Sequence, residues 1–145
     1  MHSLLFVDID ETITLPRPHM KLVTNQDWVH FYQNALPNYP LIKFIQAVQP
    51  AFSATILCTG REDRHYDVTV EWLNNLQLPK PFKVDRIRMR KNNDMRSNAD
   101  VKYEFYQGIK KSFHDSYVLV IDDNVKILEM VKNLGFATYD PKMLE

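Results

Sequence analysis

Asp8 and Asp10 stand one residue apart at the end of an apolar run, in "LLFVDIDETIT" over residues 4–14. Two carboxylates at the end of a buried strand are either solvated or put to use by a cation or a reaction. A second acidic pair, Asp122 and Asp123, follows another apolar run, "YVLVIDDN" over 117–124. Two such pairs form a hard, oxygen-rich set of the kind Mg2+ prefers, which takes few carboxylates and leaves its remaining positions to water and phosphate. No competing ligand set is visible: His2, His19, His30, His65 and His114 are scattered, and Cys58 is the sole cysteine. Beside a cation, a carboxylate such as Asp8 can approach an anionic phosphorus as a nucleophile. Asp10 can then protonate the leaving oxygen and later activate water. Thr59 and the backbone N–H groups of "TGR" at 59–61, read as a loop entering a helix, suit a phosphate oxygen. Lys102 supplies a compact positive charge for the same group. Positioning plus charge neutralisation is what phosphoryl transfer demands.

The elements that would carry these residues alternate. Strands are expected at 3–8, 53–58, 84–89, 116–121 and 136–139, short and rich in Val, Ile, Leu or aromatic residues. The first, second and fourth are nearly continuous apolar runs, as in parallel strands covered on both faces. Helical periods lie between them. Thr24 and Asp27 read as a capping pair ahead of Trp28, Phe31, Tyr32 and Ala35; Pro40 opens the next helix. Val101, Phe105 and Ile109 recur at spacings of four, and Gly135 follows the last helix as a cap. The pattern implies an α/β fold with an open, doubly wound parallel sheet, helices on both faces. Ligands bind such sheets at the carboxyl ends of the strands. Asp8, Asp10, the Thr59 segment and Asp122–Asp123 would therefore converge on one crevice.

The 145 residues suit one domain spanning 1–145. Formal net charge is zero, so any pull toward nucleic acid must be local. No apolar run approaches a membrane span, no signal peptide is visible at the start, and a lone cysteine suits a reducing cytoplasm.

"DIDET" at 8–12, "CTGR" at 58–61, "VK" at 101–102 and "VIDDN" at 120–124 resemble, in order, the four motifs of the haloacid dehalogenase-like (HAD) phosphatase superfamily. The resemblance covers nearly the whole chain. It implies a Rossmann-like HAD fold, Asp8 as nucleophile, Asp10 as acid/base, phosphate binding by Thr59 and Lys102, and Mg2+ held by Asp8, the Asp10 carbonyl and Asp122 or Asp123. Within the superfamily, "TGRED", "DMRSNADVKYE" at 94–104 and "IDDNVKILEMVKNLG" are similar to the phosphatase domain of bacteriophage-type polynucleotide kinase/3′-phosphatases. That likeness adds Thr12, Gly60, Arg61, Asp94 and Arg96 as substrate contacts. The sequence departs from the pattern at Glu11, where glycine is commoner, and at Asn98, where aspartate is typical. Its three glycines (60, 108, 135) leave no GxxxxGK[ST] kinase loop.

Little chain is left for a large cap domain, so the site should be open, which favours the end of a polymer. Residues 80–102 hold eight Lys/Arg against three Asp. Phosphate contacts there would give salt-dependent affinity for nucleic acid. Phosphorylated nucleic-acid ends, with 3′-phosphates first, are the expected partners; the oligomeric state is left open. Three other readings stand beside this one: a small-molecule 5′- or 3′-nucleotidase, a protein phosphatase of the carboxy-terminal-domain type, and a non-catalytic nucleic-acid-binding module. Residue by residue, plainer roles also stand: Asp122 and Asp123 as helix caps, Asp94–Arg96 as a surface ion pair, and His65 as exposed and inert. Trp28, Phe31, Trp72 and Tyr103 read as packing, with Tyr32 or Tyr66 as possible base-stacking rings.

Overall fold

A computed structural model describes residues 2–18 and 20–144; His19, among the histidines considered above, lies outside them. Five strands, β1 (Ser3–Val7), β2 (Ala54–Glu62), β3 (Arg86–Arg90), β4 (Tyr117–Ile121) and β5 (Ala137–Tyr139), pair in parallel in the order β3-β2-β1-β4-β5. Strand order therefore reverses beside β1, where Leu4–Val7 pairs with Ala54–Leu57 on one side and with Val118–Ile121 on the other. Asp8 leaves the sheet at this reversal, its N–H donating to the Ile121 carbonyl at 2.9 Å. β3 and β5 form the two edges.

The strands are apolar on both sides because both faces are covered. Leu4, Phe6, Cys58, Val118 and Val120 pack with Tyr106 of α4 (Asn98–Ser112) and with Ile127, Leu128 and Val131 of α5 (Val125–Asn133). Leu5, Val7, Leu57 and Ile121 face the other way, onto Leu41, Ile42 and Ile45 of α2 (Tyr39–Val48) and Trp72 of α3 (Tyr66–Asn74). α1 (Asn25–Gln33) lies beside α3, and the Trp72 indole ties them by donating to the Ala35 carbonyl at 2.8 Å.

Local chemistry sets the helix ends. Thr24 and Asp27 form the expected capping box, and Pro40 sits in the first turn of α2 behind the Asn38 cap. Ser97 caps α4 by accepting from Asp100 N. At α5 the cap is Asn124, not Asp122 or Asp123: its side chain accepts from Lys126 N and Ile127 N. Gly135 takes φ +88° immediately after α5, the left-handed conformation its lack of a Cβ permits.

Two placements differ from the sequence expectation. β2 runs on through Thr59, Gly60 and Arg61 to Glu62, with a register shift against β3 between Cys58 and Glu62. "TGR" is thus an irregular strand end, held because Arg90 Nε of β3 donates to the Gly60 carbonyl at 2.8 Å. On α4 the deepest side chains are Ala99, Lys102 and Tyr106, while Val101, Phe105 and Ile109 are only partly buried. The buried stripe is rotated by one position because Lys102 itself points inward. Residues 15–18 and 20–23 carry no helix or strand, so no large cap covers the sheet among the described residues. Among those residues no helix is long and apolar enough to cross a membrane.

Candidate active site

A cavity of about 570 Å³ opens at the carboxyl ends of β1, β2 and β4. Asp8, Asp10, Gly60, Arg61, Asp94, Lys102, Asp122 and Asp123 all line it. Parallel strands ending together at the order reversal bring these sequence-distant groups into one wall.

At its floor, Lys102 Nζ bridges two carboxylates, donating to Asp8 Oδ1 at 2.7 Å and Asp122 Oδ2 at 2.8 Å. Lys102 is 3% exposed. Burial alone would lower its affinity for a proton, but Asp8 and Asp122 outweigh that and hold the ammonium well above the usual lysine range. Thr12 links the other oxygens: its hydroxyl lies 3.0 Å from Asp8 Oδ2 and 3.2 Å from Asp123 Oδ1, and Asp123 N donates back to it at 3.2 Å. Asn38 fixes this turn by donating to the Thr12 carbonyl at 3.2 Å.

One ammonium does not balance three carboxylates. Burial, then the charge of Asp8, pushes the Asp122 carboxyl up, and burial with the Asp8 contact pushes Asp123 up to about 8. Oxygens of Asp8, Asp122 and Asp123 lie within 4.8 Å of one another. An all-carboxylate donor set with surplus negative charge fits a hard divalent cation such as Mg2+. The Asp10 side chain is outside this group.

Asp10 instead faces Arg61, which donates from Nε to Oδ2 at 3.1 Å and from Nη2 to Oδ1 at 2.8 Å. Asp10 is half-open, with a side chain 41% exposed, whereas Arg61 is buried. The guanidinium is set by its other contacts: Nη1 donates to Thr69 Oγ1 at 3.0 Å, and the plane covers the Tyr32 ring at 3.8 Å. Thr69 in turn donates to the His65 carbonyl at 2.7 Å. Expected as exposed, His65 is buried instead, because the turn at 63–65 tucks its ring against Tyr32 with centroids 5.2 Å apart. That desolvation lowers its basicity.

Thr59 is 2% exposed; its hydroxyl accepts from Arg61 N at 3.1 Å, and it lines a smaller groove behind Lys102 rather than the main cavity. A Cβ at Gly60 would run into the Asn98 side-chain amide, which would have to move aside. Asn98, at the position where aspartate is typical, accepts from Arg90 Nη2. Asp94 and Arg96 form an ion pair of 2.8 Å, which Arg96 extends to Glu104 at 2.6 Å. Hydrogen bonds from Arg96 hold the Asp94 carboxyl down at about 2. Only Asp94 reaches the main cavity; Arg96 lines the smaller groove.

Arg90, Arg17 and Trp28 were not singled out in the sequence as site residues, yet all three line the cavity. Arg90 is the junction of the strand ends, binding the Gly60 carbonyl and the carbonyls of Asp94 and Arg96. A signal for it was present: Arg86, Arg88 and Arg90 alternate along β3, which puts them on one face.

The family of the polynucleotide kinase PNKP phosphatase domain, a HAD family, matches residues 2–141. The chain belongs to it. As a PNKP-type phosphatase domain it is a hydrolase of the HAD class, and its five-stranded parallel sheet is the HAD-like fold. Two solved structures share that fold. One is a chain in the structure of the Pnkp1/Rnl/Hen1 RNA repair complex, 20% identical, with a TM-score of 0.75 over 96% of this chain and 42% of that one. The other, from a structure of the Pnkp1/Rnl/Hen1 complex, is 20% identical, with a TM-score of 0.76 over 97% and 46%. This chain spans less than half the length of either. Direct comparison with curated proteins gives no match. Glu11 gives the family's usual glycine a physical reason: it adopts φ 60°, ψ 16°, the left-handed conformation glycine takes without strain.

Proposed function

We propose that residues 1–145 act as one Mg2+-dependent phosphomonoesterase domain that removes 3′-phosphates from polynucleotide ends. The observation that carries this reading is the separation of two carboxylates in one cavity. Asp8 is bound by the buried Lys102 ammonium, and Asp10 is turned aside and oriented by Arg61. Two acids two residues apart with such different partners suit two different roles.

In the proposed reaction Asp10 carries a proton in the substrate complex; an Asp8 oxygen attacks phosphorus, the bond from phosphorus to the leaving hydroxyl oxygen breaks, and Asp10 gives that oxygen this proton. Asp10, now ionised, takes a proton from water. The resulting hydroxide attacks the Asp8-bound phosphoryl group, which restores the Asp8 carboxylate and frees phosphate. Lys102 neutralises Asp8 and the incoming phosphate oxygens. Backbone groups of Gly60 and Arg61, with Thr59 behind them, set the phosphate's position, and Thr12 holds the Asp8 oxygen not bound by Lys102. Asp8, Asp122 and Asp123, with the Asp10 carbonyl, would hold Mg2+, which supplies further neutralisation of the phosphate charge. Asp94 contributes at the cavity rim and Arg96 through its pairing with Asp94.

Support for a nucleic-acid end comes from the family, from the open cavity and from the arginines of β3. The test is phosphate release, with and without Mg2+, from a 3′-phosphorylated oligonucleotide, its 5′-phosphorylated twin and a 3′-mononucleotide, for wild type and Asp8→Asn. Preference for the 3′-phosphorylated oligomer, abolished by Asp8→Asn, is the expected result. Better turnover of the mononucleotide would make the protein a nucleotidase with the same chemistry.

A further inference from the structure

The outer wall of the cavity is aromatic. Trp28, Phe31 and Tyr32 pack together, with the Trp28 ring 5.7 Å from Tyr32 and 6.3 Å from Phe31 between centroids. Two of these rings are already covered. Arg61 lies over buried Tyr32, and Arg17 lies 4.5 Å over Phe31 while donating to the Phe31 carbonyl at 2.7 Å. Trp28 is the one left open, 37% exposed at the cavity mouth. The second tryptophan, Trp72, is 7% exposed and has its N–H paired, as a packing residue should. An indole braced by two neighbours yet open over a cavity offers a rigid stacking surface. Tyr32 cannot serve as that surface, because the guanidinium occupies it.

Charge decides what could stack there. Seven acidic side chains line the cavity against four basic ones. Beside this surplus of carboxylates an uncharged planar ring meets no repulsion, while the phosphate being cleaved is neutralised at the floor by Lys102. Only two contacts, 3.8 Å and 5.7 Å, separate the guanidinium that orients Asp10 from the indole, a reach suited to one nucleoside.

We propose that Trp28 is the platform on which the base of the substrate's phosphate-bearing terminal nucleoside stacks. This rests on the phosphatase reading above and adds its specificity-determining residue. The test compares kcat/KM for a nucleoside 3′-phosphate with that for base-free 2-deoxyribose 3-phosphate, in wild type, Trp28→Ala and Trp28→Phe. The strength of base–aromatic stacking sets a wild-type preference for the base of roughly 5- to 150-fold. That ratio should collapse toward one in Trp28→Ala and be largely kept in Trp28→Phe. An unchanged ratio in Trp28→Ala, whether both rates fall together or neither moves, overturns the proposal. A second arm needs no turnover: nucleotide added to the Asp8→Asn protein should quench tryptophan fluorescence, and the quench should vanish when Trp28→Phe is added. Persistence of the quench in that double variant also overturns the platform. Silence of the wild type toward every phosphate ester would instead remove the phosphatase reading, with the fluorescence arm still deciding on Trp28.

Discussion

Arg61 grips Asp10 through two hydrogen bonds, 3.1 Å from Nε and 2.8 Å from Nη2, and donates from Nη1 to Thr69 at 3.0 Å. A planar fork held at three points fixes the carboxylate's direction, which a lysine's point charge cannot do. Asp8→Asn should abolish turnover, and Asp10→Asn should lower kcat by about 10²–10⁴. Arg61→Lys keeps the charge and loses the fork, so kcat should fall on the order of 10²-fold with KM much less changed. Steady-state kinetics of the three variants checks this; equal, mild losses at Asp8 and Asp10 would sink the division of roles.

Lys102 is the only side chain donating to both Asp8 and Asp122 among the described residues. Lys102→Met leaves buried carboxylates facing each other without a counter-charge. Breaking a buried pair in this way costs about 3–5 kcal/mol. Urea unfolding in chelator should show that loss, and Mg2+ should recover part of it. A variant as stable as wild type in chelator would mean that the cluster is far better solvated than its burial implies.

Glu11 is non-glycine at φ 60°. Its backbone N–H donates to Thr14 Oγ1 at 2.9 Å, a bond that glycine would keep. Glu11→Gly should therefore raise stability by about 1 kcal/mol, the low end of the left-handed penalty for a residue with a Cβ. The denaturant midpoint reads this directly. A fall would show that the carboxylate contributes more than the strain removes.

Much of this arrangement was legible beforehand. Four of the five strands fall within about two residues of their expected bounds, and β2 starts within one but runs four residues further, to Glu62; apolar runs of strand length bounded by polar turns have few other uses. Three of the four motifs meet because a parallel sheet must end its strands together, and Lys102 joins them from α4. The misses share a cause. Nothing local says that β2 continues through Gly60, since a guanidinium thirty residues on holds it there. His65 is buried by Tyr32 of another helix, and Trp28 is the ring left open beside Phe31 and Tyr32, which Arg17 and Arg61 cover. Side-chain exposure in these cases depends on partners distant in sequence.

His65 carries a pH consequence. Its Nδ1 is buried without a hydrogen-bond partner, and desolvation holds its basicity below the ordinary value of 6.5. A histidine with a depressed folded-state value contributes stability above 6.5 and loses it as pH falls through the lower, folded-state value. The wild-type Tm should drop more steeply below pH 6.5 than that of His65→Phe, which has nothing to protonate there. Parallel Tm–pH curves for the two proteins would contradict this.

Arg86 and Arg88 are exposed, and neither forms an ion pair among the described residues. If they meet the substrate's backbone, log Kd should vary with log salt concentration at about 0.7 per phosphate on a single strand. Binding of a 3′-phosphorylated oligonucleotide to the Asp8→Asn protein should then lose about 1.4 from that slope when Arg86→Gln and Arg88→Gln are added. A slope left intact would place the contacts elsewhere.

The same arginines sit on β3, an outer strand whose far side has no partner in the sheet among the described residues. An uncovered strand is a template on which another chain can add itself, and positive charge at every second position is one of the ways proteins prevent this. Two copies meeting β3 to β3 would bring like charges together along the whole contact. Stripped of that charge, the edge would be free to zip onto its own kind, and the first sign would be turbidity in the tube, ahead of any change in what the protein binds.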